Sequence, residues 1–217
     1  MSLPTHLLPA VRLVARTGTR LAAACAALAL LCGLAAASPA AALDQTLTTA
    51  GSSAIGYAAA VDGDTLVLGD PLGNGGIGAV YVFQRSGNTW TNTATLTASD
   101  GSVDDNLGVS VAIDGDTIVA GASGDGVDQD ATGQGSVYTF ARSGPPSRTE
   151  TARLTDAEGA GHDELGYSVA IDGDTIVAGA PGKSVGLHAT QGVVDTFARG
   201  GADRTQTARL TVPDGAQ

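Results

Sequence analysis

One phrase of sequence is written three times along this chain. It reads IGYAAAVDGDTLVLGDP from Ile55, LGVSVAIDGDTIVAGAS from Leu107 and LGYSVAIDGDTIVAGAP from Leu165, so that successive copies start 52 and 58 residues apart. Self-similarity at a spacing of about 20 to 50 residues or slightly more is typical of arrays in which one supersecondary unit recurs. The sequence therefore predicts three equivalent units in series.

Each unit is predicted to contain four short strands. In the middle copy, residues 108–113 alternate between apolar and small or polar side chains, which is the pattern of a strand. Asp114-Gly115 then predicts a tight type I′ hairpin turn into a second strand at 117–120. After a glycine-rich loop, 136–140 and 149–155 complete the unit as its third and fourth strands, and the fourth has Thr on one face and Ala and Leu on the other.

The other two copies repeat this order, with predicted turns at Asp62-Gly63 and Asp172-Gly173. Four short antiparallel strands per unit are typical of a β-propeller blade, so the predicted fold class is all-β, a partial propeller with repeats at about 47–97, 98–155 and 156–211. Closed propellers have about four to eight blades. Three blades leave three interpretations open: a truncated gene, a fragment of a longer protein, or subunits that close a ring together as a homo-oligomer.

The repeated phrase resembles the FG-GAP repeat, through LGYSVA at 165–170, AGAP at 178–181 and the third strand GAVYVF at 78–83. The resemblance covers about residues 47–211. It implies the propeller architecture of integrin α subunits and of many bacterial extracellular proteins. Repeats of that kind often carry a calcium loop between the first two strands, but the tight turn Asp172-Gly173-Asp174 is too short to wrap calcium.

A second departure concerns one position of the third strand. Asp195 stands where the other copies have Tyr81 and Tyr138. This difference predicts either a weaker third blade or an altered neighbour that accommodates the carboxylate.

Residues 1–42 are predicted to be a signal peptide. Arg12, Arg16 and Arg20 form a basic region, 21–37 is an uncharged apolar run, and Ala40-Ala41-Ala42 supplies the small residues that signal peptidase reads. The alternative is an uncleaved membrane anchor, since the run is close to spanning length. Cleavage after Ala42 predicts a protein that is secreted, extracellular or periplasmic, with no membrane span, and the composition looks bacterial.

Cysteine usage and net charge exclude some kinds of chemistry and some classes of partner. Both cysteines, Cys25 and Cys32, lie in the predicted signal peptide, so neither disulfides nor thiol chemistry are expected after cleavage. The eight remaining Lys and Arg residues against 22 Asp and Glu give a net charge of −14. This charge argues against nucleic acid as a partner and against an anionic membrane surface. It is compatible with divalent cations, and equally with solubility alone.

The candidate metal ligands are Asp125, Asp128 and Asp130, in the loop GDGVDQDATGQG. Carboxylate oxygens suit calcium, although the spacing matches no EF-hand loop. The alternative is a solvated acidic loop. No cofactor other than calcium is predicted.

No catalytic constellation is evident, so the chain is predicted not to be an enzyme. The carboxylate pairs Asp104-Asp105 and Asp163-Glu164 could serve glycoside hydrolysis, but they recur at equivalent repeat positions, which favours a structural role. Trp90 is interpreted as a packing residue between blades rather than a sugar platform, and the glycines of 73–76 as a turn rather than a phosphate loop.

These observations predict an exported, non-catalytic binding, adhesion or interaction module whose partner is a protein or a glycan, bound by the loops at one end of the blades. Two alternatives stay open: a remnant or fragment of a larger extracellular hydrolase or lyase, and a nonfunctional truncation.

Overall fold

The structure of the chain, a computed structural model, describes residues 45–127, 132–143, 149–199 and 206–212. The predicted signal peptide at 1–42 lies outside the described residues, as do Asp128 and Asp130.

In the described part of the chain, twelve strands form three four-stranded antiparallel sheets, called blades 1 to 3 below. Blade 1 contains β1 (Ala58–Asp62), β2 (Thr65–Asp70), β3 (Ala79–Ser86) and β4 (Thr89–Leu96). Blade 2 contains β5 (Ser110–Asp114), β6 (Thr117–Ala122), β7 (Ser136–Ala141) and β8 (Glu150–Leu154). Blade 3 contains β9 (Ser168–Asp172), β10 (Thr175–Ala180), β11 (Val193–Ala198) and β12 (Gln206–Leu210). Within each blade, strands adjacent in sequence are hydrogen-bonded neighbours, which confirms the predicted all-β fold built from propeller-type blades.

The hairpin turns lie one residue later than predicted. Asp62 pairs with Thr65 at the end of the ladder, so the two loop residues are Gly63 and Asp64 rather than Asp62 and Gly63. Gly63 has a φ of 56°, whereas Asp64 does not have a positive φ. A type I′ turn needs positive φ at both positions, and glycine first is the pattern of type II′. The aspartate that precedes the glycine therefore stays in the strand, and the same shift occurs at Gly115 and Gly173.

Two apolar cores hold the blades together. The first lies between blades 1 and 2 and contains Val67, Val80, Val82, Ala94, Leu96, Leu107, Val111, Ile118, Ala120, Ala122, Tyr138 and Phe140. The second lies between blades 2 and 3 and contains Val119, Val137, Leu154, Leu165, Ile176, Ala178, Ala180, Val193 and Phe197. Small residues and aromatic rings thus pack between sheets. Neighbouring strand residues of blade 2 contribute to opposite cores because side chains alternate along a strand.

Trp90 does not lie between two described blades, contrary to the prediction. It packs with Tyr81 and Phe83 on the face of blade 1 that points away from blade 2, where Leu47 also packs. The Arg85 guanidinium carbon lies 5.5 Å from the centre of the Trp90 ring. The packing role is therefore retained, but on an outer face.

The predicted one-sided fourth strand and the predicted glycine turn are both present. In β4, Ala94 and Leu96 are buried while Thr91, Thr93 and Thr95 are exposed. Asn74–Gly76 forms a short 3-10 turn.

The described residues include no helix with the length and apolar character needed to cross a membrane.

Candidate functional site

An acidic groove opens at one end of the blades, where blades 1 and 2 meet. Because the strands alternate in direction, the β4–β5 and β6–β7 connections emerge at the same end, opposite the Gly-Asp hairpins. These two loops, together with Arg153 of β8, line a cavity of about 600 Å³. Among the described lining residues, four carboxylates face that single arginine: Asp100, Asp104, Asp105 and Asp125.

Asp125 is a buried, paired carboxylate rather than a solvated loop residue. It is 4% exposed, and its Oδ2 lies 2.7 Å from Nη2 of Arg153 and 2.9 Å from Oη of Tyr138. The same two side chains also reach Asp100, at 2.8 Å each. Arg153 and Tyr138 therefore bridge two carboxylates that come from different loops, Asp100 from β4–β5 and Asp125 from β6–β7.

The negative surroundings alter the titration of Tyr138. Burial, together with hydrogen bonds to Asp100 and the nearby charge of Asp125, raises the pKa of Tyr138 far above its ordinary value. The phenol therefore stays protonated, and its single O–H is shared between the carboxylates of Asp100 and Asp125.

The predicted calcium ligands are only partly described. Asp128 and Asp130 lie outside the described residues, and Asp125 already accepts from Arg153 and Tyr138. Within the described ranges, no group of three or more His, Cys, Asp or Glu side chains is arranged to hold a metal ion. Calcium binding stays a prediction.

One carboxylate of each predicted pair shapes its loop. Contrary to the prediction, the pairs are not at equivalent repeat positions, because one more residue separates the first pair from its Leu-Gly than separates the second. Asp105 accepts the backbone N–H of Ser102 at 2.5 Å, and the equivalent Asp163 accepts that of Ala160 at 2.7 Å. Burial is the main cause of a raised pKa at Asp105, and the charges of Asp125 and Asp100 add to it. Asp163 is 5% exposed and lies 2.8 Å from Nζ of Lys183, so an ion pair already occupies it.

Blade 3 carries the same cluster with its charges rearranged. By repeat register, Lys183 stands at the position of Asp125 and Asp195 at that of Tyr138. Lys183 lies 2.7 Å from Asp156, while Arg209 pairs with both Asp156 and Asp195. The fully buried Asp195 also accepts from Nε2 of Gln206 at 2.7 Å, and Gln206 stands where blade 2 has Glu150. An altered neighbour therefore accommodates Asp195, which is the second of the two predicted alternatives.

Repeated arginines between blades are a feature that the sequence interpretation missed. Arg142 follows β7, and its Nε donates to Oγ1 of Thr65 at 3.0 Å. Its Nη atoms contact Asp62 and the carbonyl of Gly115. Arg199 makes the same set of contacts one blade later, to Thr117, Asp114 and Gly173. The signal was present as a Phe-x-Arg motif in all three third strands, starting at Phe83, Phe140 and Phe197.

Residues 90–140 and 149–192 match the family model of the FG-GAP repeat. These segments run from β4 to β7 and from β8 to the end of the β10–β11 loop. A search of curated proteins gives no match to this chain. Among solved structures, the chain is similar to the crystal structure of the computationally designed Ika4 protein, with 16% identity, a TM-score of 0.43 and 79% of each chain covered.

The matched segments contain two of the three copies of the repeated phrase and most of the strands of blades 2 and 3. Repeats of this kind are generally extracellular or interaction modules, and their fold is typically non-catalytic. The repeats at 90–140 and 149–192 belong to the FG-GAP repeat family.

Proposed function

We propose that this chain is an exported, non-catalytic interaction module that binds a protein or glycan through the acidic groove. The observation that carries the proposal is the groove itself, a cavity of about 600 Å³ formed by loops at one end of the blades. Loops held by a rigid scaffold are where binding surfaces usually lie.

The chemistry of the groove indicates the chemistry of its ligand. Asp105 and Asp125 are buried, whereas Asp104 is exposed, and so is Asp100 although it also accepts from Tyr138 and Arg153. The two exposed carboxylates can only accept hydrogen bonds when ionised. A ligand that fits must therefore supply donors, such as sugar hydroxyls or the ammonium and guanidinium groups of a protein surface.

A matched pair of substitutions tests the groove. We expect the purified protein to capture a glycan from an array, or a defined extracellular protein, and Asp104→Asn to weaken that binding about tenfold. Asp174→Asn makes the same charge change in a hairpin at the opposite end and should leave binding unaltered. If both variants bind like the wild type, the groove is not the binding surface.

Export has its own test. The amino terminus of the secreted protein should be Leu43, as read by terminal sequencing or intact mass. Retention of the first 42 residues on a membrane-bound product would favour the anchor alternative.

We propose that Asp125, Asp128 and Asp130 bind calcium. Titration with calcium should then raise the melting temperature, and Asp128→Ala should abolish the rise. A melting temperature that calcium does not change would exclude the site.

A further inference from the structure

Each junction between blades is made by a plug and a slot that recur in register. The plug is the Leu-Gly pair that opens a blade, and both Leu107 and Leu165 are fully buried. Leu107 forms a parallel bridge to Gly78 of blade 1, and Leu165 forms one to Gly135 of blade 2. The slot is the part of the preceding blade that receives this pair.

The slot needs glycine because two main chains meet in it. A Cβ on Gly69 would lie 1.9 Å from the carbonyl oxygen of Gly108, and one on Gly121 would lie 1.8 Å from that of Gly166. At the second junction, Oγ of Ser110 also donates to the Gly166 carbonyl at 2.7 Å.

Blade 3 carries an equivalent slot that no described residue fills. Gly179 and Ser168 occupy the positions of Gly121 and Ser110, and a Cβ on Gly179 would meet only Ser168. These residues line a cavity of about 470 Å³. Leu210, which also lines it, is 57% exposed, whereas the equivalent Leu96 and Leu154 are 3% and 1% exposed.

We call the Asp and Thr of one blade that bind an arginine of the next blade the arginine clamp. On this side of blade 3, the clamp residues bind no arginine among the described residues. Asp172 and Thr175 stand where Asp114 and Thr117 receive Arg199, yet both are exposed and have no side-chain partner among the described residues. A carboxylate and a hydroxyl are thus presented beside an empty slot, which is the set of groups that an arginine and a Leu-Gly plug use at the two filled junctions.

Blade 1 carries the complementary groups on its outer face. Ile55-Gly56 stands at the plug position, with Ile55 only partly buried and open space around Gly56, whose φ of 87° matches the 91° and 86° of Gly108 and Gly166. Arg85, at the position of Arg142, pairs with Asp64 and lies over Trp90, both in its own blade. It contacts no other blade among the described residues, and its side chain is 46% exposed.

We propose that two copies of this chain associate head to tail, with Ile55-Gly56 and Arg85 of one copy seated in the Gly179 slot and on Asp172 and Thr175 of the other. The contact joins unlike faces, so two copies can close on each other through two such junctions. The described residues of two copies supply six blades, within the range of about four to eight in which propellers close. A second copy is the occupant because the chain itself supplies both halves of the contact, with opposite charges.

Light scattering on a sizing column tests the proposal with the product obtained from the full-length chain. We expect twice the protomer mass given by mass spectrometry, and Asp172→Ala should raise the dimer dissociation constant about tenfold or more. Asp174→Ala removes the same charge two residues away and should leave the dimer intact.

A second variant blocks the slot without using charge. Ser168→Ala with Gly179→Ala places a methyl group where the Gly56 carbonyl must sit. Within the chain, Ser168→Ala removes the hydroxyl oxygen with which this methyl would clash, at 2.5 Å. We expect this double variant to be a folded monomer by light scattering and circular dichroism, with Ser168→Ala alone still dimeric. A monomeric wild type at about 100 μM, or a dimer that resists both Asp172→Ala and the double variant, would overturn the proposal. None of these outcomes depends on ligand binding in the acidic groove.

Discussion

Non-glycine residues with left-handed backbone shape the loop before each buried Leu-Gly pair. Asp104 and Asn106 have φ values of 74° and 61°, and the equivalent His162 and Glu164 have 66° and 60°. The twist lets the loop bond to the preceding blade, as in the bond from the Glu164 N–H to the Gly133 carbonyl at 3.0 Å. Asparagine tolerates this conformation well, whereas a longer side chain such as glutamate does not.

Glu164→Asn should therefore stabilise the protein by about 1 kcal/mol. The replacement copies blade 2, where Nδ2 of Asn106 donates to the carbonyl of Asp104 at 2.6 Å. For a chain of this size the melting temperature should rise by about 2 to 4 °C. Asn106→Glu is the mirror control and should lower it by a similar amount. If both changes have the same sign, backbone strain is not the cause.

Asp105→Asn should raise stability at neutral pH and lose this advantage in acid. Burial and the neighbouring carboxylates raise the pKa of Asp105 above its ordinary 3.8. The ionised carboxylate is therefore less stable in the folded protein than in the unfolded chain, and its charge lowers the free energy of unfolding. The cost is full above the folded pKa and vanishes below the unfolded one. Asparagine keeps an oxygen for the Ser102 N–H but carries no charge. Urea unfolding at pH 7 and at about pH 3 measures the difference.

Asp156 has a pKa shift of the opposite sign and serves as a comparison. Burial favours its neutral form, but hydrogen bonds from Lys183, the Glu158 backbone and Arg209 outweigh burial, so the pKa of Asp156 is lowered. Its contribution to stability is present above the unfolded pKa and is lost as the pH falls through the folded one. Asp156→Asn should therefore destabilise at pH 7, and the loss should shrink in acid. Equal pH profiles for the two variants would contradict both assignments.

At the scale of the elements, the sequence predicts strands well because their pattern is local. Period-two alternation places β5 to β8 to within about two residues. The hairpin turns are displaced by one residue because Asp62 and Asp114 pair across the ladder and bind arginines from the next blade. Local sequence carries no information on those partners, which lie 80 and 85 residues away.

The candidate site was less predictable than the strands for the same reason. Asp125 is evident as an acidic loop residue, but its partner Arg153 is 28 residues away and arrives only through the register of β7 and β8. Blade 3 has Lys183 and Asp195 where blade 2 has Asp125 and Tyr138. The two exchanges compensate each other in charge, which becomes clear only once the fold shows that both positions lie in one cluster.

The clamp arginine should couple blades 1 and 2 energetically. In a double-mutant cycle with Arg142→Ala and Asp62→Ala, we expect an interaction free energy of about 1 kcal/mol, a modest value because both side chains are partly exposed. Arg142→Ala alone should cost about 2 kcal/mol, since the bonds to Thr65 and Gly115 are lost as well. Urea unfolding at one fixed protein concentration measures all four states. If the effects of the two single substitutions on the free energy of unfolding are additive, the Arg142–Asp62 pair has no interaction free energy of its own.

At the scale of the whole molecule, blade 2 is the part that holds the described blades in one array. It contributes residues to both apolar cores, whereas blades 1 and 3 each contribute to one of them. In a repeat array, stability is approximately a sum over units and over the interfaces between neighbours. A substitution that weakens one interface should therefore destabilise the outer blade at that interface more than the rest of the array.

Ile118 and Val119 allow this to be tested with adjacent residues of one strand. Ile118 lies in the core between blades 1 and 2, and Val119 lies in the core between blades 2 and 3. Ile118→Ala leaves a cavity that costs about 2 to 5 kcal/mol, with a smaller loss for Val119→Ala. We expect Ile118→Ala to reduce native-state hydrogen-exchange protection more in β1 to β4 than in β9 to β12, and Val119→Ala to do the reverse, because a weakened interface lets its outer blade open first. Equal loss of protection in all three blades with both variants would instead show that the array opens as one cooperative unit.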